Sequence, residues 1–390
     1  MKISFINPPH ADWCLANNLT WLCMQSYYKE YGKNNHLITW MEAPYKWDKY
    51  QSIEDVVEEI KDADVILFSS YFWNYDLCDQ ISLYIKQKYP EKVLLLGGPH
   101  IGTHDKALLN SRKQYNYICQ PTKPGEIFIT DFIDNPTNIS WELNSSNKKP
   151  FEFSKKSVYC EHINYLKKLK TYSDTNGLEC LIVLETTRGC PFACTFCEWG
   201  GGIETKIIKK DIETVKEDIL AIKEAGYKEV YLADANFGAF KERDFEIFKF
   251  ANDNDIIFTD VSTLKTRDLN KKIELLDFWF NVVGKQNEKK LSVPNISIQS
   301  LSDEAMKVCK RLDLSSDDKL KLDKYVHEKC IEEGYPVPSL EFILAMPGST
   351  IEDFYNEFNM IANFKSWGTT RHDYMFLPDT ELYNSEYLEL

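Results

Sequence analysis

Short apolar runs recur through the first third of the chain, spaced widely enough for a crossover helix, and this alternation constrains the fold more than any other feature. KISFINPP (2–9), HLITWMEAP (36–44), DVILFSSYFWN (64–74), KVLLLGGPHIG (92–102) and YNYICQ (115–120) read as five strands. Between them lie three helical segments: CLANNLTWLCMQSYYKEYG (14–32), stopped by Gly32; SIEDVVEEIKDA (52–63), capped by Ser52 with Glu54 and Asp55 in its first turn; and YDLCDQISLYIKQKYP (75–90). GEIFITDFID (125–134) is a fourth. Strands that are apolar on both faces and separated by helices imply a Rossmann-like, doubly wound parallel sheet. Ligands of such sheets sit at the carboxyl ends of the strands. That rim holds Pro8, Pro9, Ser70 to Asn74 and Gly97 to His100.

The chain has 390 residues, 43 % hydrophobic and 27 % charged, enough for two or three domains with cores of their own. The first is expected over 1–135. Residues 136–175, rich in Asn, Ser and Lys, read as a linker. From 176 to 390 a second βα series follows: LIVLETT (181–187), EVYLADA (229–235), DIIFTDV (255–261), NISIQS (295–300), SLEFILAM (339–346) and DYMFLP (373–378). Six βα units are too few to close an eight-fold barrel, so a partial (β/α)6 barrel is expected. No apolar run approaches the ~18 residues of a membrane span. The N-terminus MKISFINPPHADW lacks the apolar region of a signal peptide, so a cytoplasmic protein is expected. A net charge of −14 without a dense basic block disfavours nucleic acid as a partner. The eleven cysteines are odd in number and mostly scattered, which argues against a disulfide framework and for free thiols.

Three cysteines stand apart. Thr-Arg-Gly-Cys190-Pro-Phe-Ala-Cys194-Thr-Phe-Cys197 sets a Cys-x3-Cys-x2-Cys spacing in the loop after the first barrel strand. Three thiolates so close can hold one face of a metal cluster. A four-iron cluster would keep one iron open, where a ligand with amino and carboxylate groups could chelate. Gly189 and Pro191 set the turn, and Gly200 to Gly202 let backbone approach closely. The competing readings are three chance thiols or a structural zinc site. Zinc takes four closed ligands, and no second Cys or His pair follows at suitable spacing.

With this triplet and Phe196 before its last cysteine, the region from about 180 onward resembles the radical S-adenosylmethionine (radical SAM) enzymes. The resemblance implies a [4Fe–4S] cluster held by Cys190, Cys194 and Cys197, whose open iron binds S-adenosylmethionine. Reductive cleavage of the sulfonium would release a 5′-deoxyadenosyl radical, with an electron donor such as flavodoxin or ferredoxin as partner. It further implies that Asp234 and Asn236 lie where the methionine amino group is contacted. Gln299 and Ser300 would lie in the ribose-binding segment, Arg311 near the methionine carboxylate, and Leu344 in the segment that packs on adenine. The common Gly-Gly-Glu after the second strand is absent. As alternatives, Asp234 or Asn236 caps a helix and Arg311 is a solvated helix residue.

The first domain lacks Gly-x-Gly-x-x-Gly after its first strand, where Asn7-Pro8-Pro9-His10 stands. FINPP, FSSYFWN and LLLGGPH together resemble the cobalamin-binding domain that precedes many radical SAM cores. That resemblance brings Pro9, Ser70, Tyr71, Trp73 and Asn74 to the corrin, with Gly97, Gly98 and Pro99 leaving space for the nucleotide tail. The Asp-x-His-x-x-Gly that donates a histidine to cobalt is missing, and Gln120 to Glu126 depart from the usual Gly-Glu-Gly-Glu form. His10, His100 and His104 read as loop histidines, and Trp73 as core packing is the plain alternative.

Taken together, the resemblances imply a cobalamin-dependent radical SAM enzyme, a class B methyltransferase that uses methylcobalamin as methyl donor on a small-molecule or peptide substrate. The alternatives are a radical rearrangement or cyclisation without methyl transfer, and a non-catalytic cobalamin or iron–sulfur module. A methylthiotransferase would need three further clustered cysteines, and Cys14, Cys23, Cys78 and Cys119 form no recognisable set.

Overall fold

The computed structural model describes residues 1–10, 14–34, 37–101, 110–119, 124–136, 151–197, 206–259, 261–286, 294, 296–311, 313–335, 340–363, 369–375, 377 and 380–383. Gly200 to Gly202, His104 and Gln120 to Lys123 lie outside the described residues. The chain divides into two compact units. The first holds Met1–Val183, Glu224–Gly226 and Leu377–Leu390; the second holds Leu184–Lys223 and Tyr227–Phe376.

The first unit is built on five parallel strands: β1 (Lys2–Ile6), β3 (Thr39–Trp40), β4 (Val65–Ser69), β5 (Val93–Gly97) and β6 (Tyr117–Ile118), in the order β3-β1-β4-β5-β6. All five residues of β4 are buried, as a central strand covered on both faces requires. Successive side chains alternate between two cores. Ile3, Phe5, Val65, Leu67 and Leu95 meet the helices Leu19–Tyr31 and Gly125–Asp134 on one face. Ile6, Ile66, Phe68, Leu94 and Leu96 meet Ile53–Glu59 and Tyr75–Lys88 on the other. The Ile53–Glu59 helix opens as the sequence indicates: Asp55 Oδ2 accepts from Ser52 N at 3.1 Å, a reciprocal capping box.

Two segments of the first unit differ from the sequence reading. The segment read as one helix from Cys14 begins instead as β2 (Cys14–Ala16), which pairs in parallel with β7 (Glu179–Leu181). The helix starts only at Leu19, after the left-handed Asn18 (φ 48°). Buried Asn17 dictates this break. Its Nδ2 donates to Tyr159 Oη (3.0 Å) and Val183 O (3.2 Å), and its Oδ1 accepts from Val183 N (3.2 Å). The stretch read as a linker carries the helices Val158–Glu161 and Ile163–Asn176, the second closed by Gly177 at φ 65°. Leu166, Leu169 and Ser173 form its buried stripe, a helical period that the Lys- and Asn-rich composition obscures.

The second unit carries the short strands of the βα series. β8 (Val183–Leu184), β11 (Glu229–Leu232) and β12 (Ile257–Thr259) form one sheet in the order β12-β11-β8. β13 (Ile296–Gln299), β14 (Leu340–Leu344) and β15 (Thr369–Asp373) form another, parallel throughout. β9 (Thr187–Arg188) and β10 (Ile208–Lys209) make an antiparallel pair. β15 ends where the DYMFLP run was expected to begin. Its five residues match Leu340–Leu344 rung for rung, and the ladder stops after Tyr374 N donates to Leu344 O, leaving Met375 exposed. Among the described residues no helix is long and apolar enough to cross a membrane.

Candidate active site

In the second unit the loop after β9 turns at Gly189 (φ 99°) and carries the three thiols. Cys190 and Cys194 are buried and Cys197 is half-buried. The loop is pinned by Cys197 N to Cys194 O (3.1 Å) and by Thr195 N to Cys309 O (3.1 Å). Asn236, just after β11, donates from Nδ2 to Cys190 Sγ at 3.2 Å. Burial raises the Cys194 thiol above its ordinary value, opposed by the charges of Arg311 and Lys265. Those cations are what a set of thiolates needs nearby. Among the described residues no three His, Cys, Asp or Glu side chains converge on a single ion site. Thiols that each hold a different iron of a cluster need not converge.

Beside the thiols opens a cleft of about 210 Å³. It is lined by Phe196, Cys197 and Ala235, by Ser262, Thr263 and Lys265 after β12, and by Lys272. Ser297, Ile298, Gln299, Arg311, Asp313, Leu314, Lys319 and Leu322 complete the wall. Among the described lining residues four cations thus face one carboxylate, which suits a ligand carrying an anionic group. The guanidinium of Arg311 is held in place: Nε donates to Asp313 Oδ2 (3.1 Å) and Nη2 to Ser297 O (3.0 Å). Lys272 Nζ donates to Thr263 Oγ1 (2.6 Å) and Leu264 O (2.7 Å), and burial brings it down to about 8.

Of the residues singled out in the sequence, Phe196, Cys197, Gln299 and Arg311 line this cleft. Asn236 is buried, and among the described residues its Oδ1 has no hydrogen-bond partner. An orphaned acceptor next to the thiol loop fits an ammonium-bearing ligand. Asp234 faces the chain instead, accepting from Thr186 N (2.7 Å), Thr186 Oγ1 (2.5 Å) and Thr187 N (3.0 Å). Ser300 likewise turns to Glu357, donating from Oγ to Oε1. Leu344 is half-buried at the end of β14 and is not among the residues lining the cleft. Sequence reasoning missed Lys265, Lys272, Asp313 and Lys319. Lys265 follows a barrel strand and was open to the carboxyl-end argument; Lys319, in SDDKLKLDKY, carries the pattern of a solvated helix face.

The first unit presents a second candidate site at the carboxyl rim of its sheet. Tyr71 and Trp73 stack at 4.4 Å and 13°, with Phe72 edge-on to Trp73 and the His10 ring at 6.0 Å. Phe72 and Trp73 remain 42 % and 41 % exposed, so this platform is not core packing. A flat aromatic face fits a wide apolar plate such as a corrin. Two neighbours act beneath it. Asn74 is buried, its Nδ2 donating to Pro8 O (3.0 Å), Ser69 O (3.2 Å) and Asn7 Oδ1 (3.3 Å), while its Oδ1 accepts from Tyr71 N (2.8 Å). Ser70 is buried too; its N–H donates to Gly97 O and its carbonyl accepts from His100 N. Gly98, at φ 100°, lies against Ser70: a Cβ there would sit 2.4 Å from Ser70 O. Pro9 and Pro99 stand half-buried on the same rim.

The radical SAM superfamily profile matches residues 184–361, which take in the thiol loop and the strands β9 to β14. Through these residues the chain carries a radical SAM domain. Over 210 residues it is 22 % identical to the cobalamin-dependent radical SAM methyltransferase TokK of Streptomyces tokunonensis, covering 50 % of this chain and 30 % of the relative. The chain therefore spans under a third of that relative's length. Over 294 residues it is 24 % identical to the tRNA-2-methylthio-N(6)-dimethylallyladenosine synthase of Bdellovibrio bacteriovorus, covering 72 % of this chain and 56 % of that protein. Its fold is that of the radical S-adenosylmethionine methyltransferase TsrM from Kitasatospora setae, solved with cobalamin and a [4Fe–4S] cluster bound. The TM-score is 0.67 at 11 % identity, covering 98 % of this chain and 73 % of that one. The α/β architecture read from the sequence, a Rossmann-like sheet followed by a partial radical SAM barrel, is the one observed.

Proposed function

We propose that the protein is a cobalamin-dependent radical SAM methyltransferase acting on a small-molecule or peptide substrate. The observation that carries this reading is the juxtaposition, in one unit, of the Cys190/Cys194/Cys197 loop with a cation-rich cleft. Cys190, Cys194 and Cys197 would hold a [4Fe–4S] cluster, and the cleft would hold S-adenosylmethionine. The aromatic rim around Trp73 would seat a corrin. When bound, these groups supply the reducing electron, the adenosyl radical and the methyl group. The chain's own residues bind and orient. Arg311, held by Asp313, and Lys265 would attract the methionine carboxylate. Asn236 Oδ1 would accept from the amino group, and Gln299 and Phe196 would contact the nucleoside.

TokK is named as a methyltransferase of this kind, and the TsrM likeness extends over nearly the whole chain, so both units fit one reading. The methylthio synthase of Bdellovibrio favours a second, in which three more cysteines of the first unit would hold another cluster. Cys78 and Cys119 argue against it: they lie in the two cores on opposite faces of the sheet.

The test is anaerobic reconstitution with iron, sulfide and hydroxocobalamin. About four irons and one cobalt per chain are expected. Cys197→Ala should lose cluster absorbance and S-adenosylmethionine cleavage, and cleavage retained by that variant would sink the radical assignment. Iron without cobalt would leave the first unit as a substrate or partner module.

A further inference from the structure

β13 breaks regular pairing where it reaches the cleft. Its register to β14 runs Ile296↔Leu340, Ser297↔Glu341, then Gln299↔Phe342, so Ile298 is the extra residue of a bulge. Gln299 follows with φ 67°, a left-handed conformation that costs a side-chain-bearing residue about 1 kcal/mol and ordinarily falls to glycine. Yet a glutamine stands there, lining the cleft. Something must hold it.

Lys319, on the helix Ser316–Glu333, is 3 % exposed. Its Nζ donates to Ile298 O at 3.0 Å and to Ser300 O at 2.9 Å, the carbonyls on either side of Gln299. Ser300 N also donates to Ile298 O at 2.9 Å, closing a tight turn around the same residue. Beyond the turn Glu357 accepts from Leu301 N (2.7 Å) and Ser302 N (3.2 Å). Burying an ammonium is unfavourable where an apolar side chain would fill the same space. Its two carbonyl contacts are what the lysine does that a leucine could not.

We propose that Lys319 is a positioning residue: its ammonium clamps the carbonyls flanking Gln299, holds the bulge left-handed, and so presents Gln299 to the nucleoside part of the ligand in the cleft. The inference rests on the cleft being the S-adenosylmethionine site.

The test is a mutant cycle on the iron–sulfur-reconstituted chain, with S-adenosylhomocysteine affinity measured by calorimetry. Amide exchange of Ser300 to Ser302 is followed in the ligand-free protein. Lys319→Met should weaken binding about tenfold and speed exchange at Ser300. In a Gln299→Gly background, where the left-handed turn carries no side-chain penalty, the same substitution should cost less than about twofold. If Lys319→Met does not fold alone, its recovery in the Gln299→Gly background supports the clamp. Equal affinity in Lys319→Met and the parent, or the same loss in both backgrounds, overturns it. If the parent chain does not bind S-adenosylhomocysteine, the reading of the cleft fails, and exchange decides the clamp alone. Faster exchange in Lys319→Met but not in the double variant supports it, and unchanged exchange overturns it.

Discussion

Asp234 stands where a ligand-facing carboxylate was expected, yet its hydrogen bonds go to Thr186 and Thr187. Full burial pushes its carboxyl up to about 6, against the pull of those donors. An aspartate in an unfolded chain titrates near ~3.9. The folded chain therefore holds more protons between about pH 4 and 6, and stability falls as pH rises through that window. Asp234→Asn keeps an acceptor for both threonine N–H groups without the buried charge. Its melting temperature should gain on the parent's as pH goes from 4 to 6, and parallel pH profiles would refute the assignment. Asp234→Ala should cost about 3 kcal/mol by leaving buried donors unpaired. Neighbouring glycines differ in the same way. Gly97→Ala meets Cys119 Cβ at 3.7 Å and Phe68 O at 3.8 Å, ordinary contact distances, and should be tolerated. Gly98→Ala meets Ser70 backbone at a positive φ and should lower the melting temperature sharply, whatever the corrin does.

At the scale of elements, the sheet of the first unit was legible because burial on both faces leaves continuous apolar runs such as VILFS and VLLLG. The rim was legible in position but not in role. Trp73, stacked on Tyr71, stays part-exposed, while Asn74 ties the β1 and β4 loops together. Trp73→Ala should weaken hydroxocobalamin binding, read by absorption titration, with little change in melting temperature. Asn74→Ala should lower both, since it releases the platform's support. Equal thermal effects from the two would contradict this division. The helices of residues 158–176 were not legible: their apolar positions are few, and packing inside the first unit, not composition, makes them stable.

For the whole molecule, the two compact units predict separable ligand responses. Hydroxocobalamin should protect amides of residues 69–74 and 97–100. S-adenosylhomocysteine should protect the thiol loop and residues 297–302. Hydrogen exchange with each ligand in turn measures this, and protection by both ligands at the same segments would overturn the two-site assignment. Domain limits drawn from composition placed a linker at 136–175, whereas contacts divide the chain at Val183, with residues 224–226 and 377–390 returning to the first unit.

Periodicity and spacing are properties of neighbours along the chain, so the βα alternation, the Cys190/Cys194/Cys197 triplet and the glycine turn at 97–98 could be read from the amino acids alone. The direction of a polar side chain is a different matter. Asp234 turns to Thr186, 48 positions earlier, and Lys319 reaches back 21 positions to Ile298. Each choice follows from which buried donor or acceptor lacks a partner once the strands are packed, and folding brings those groups together. Hence the residue types of the candidate site were present in the sequence, but only the packed chain decided which of them line the cleft and which hold the backbone around it.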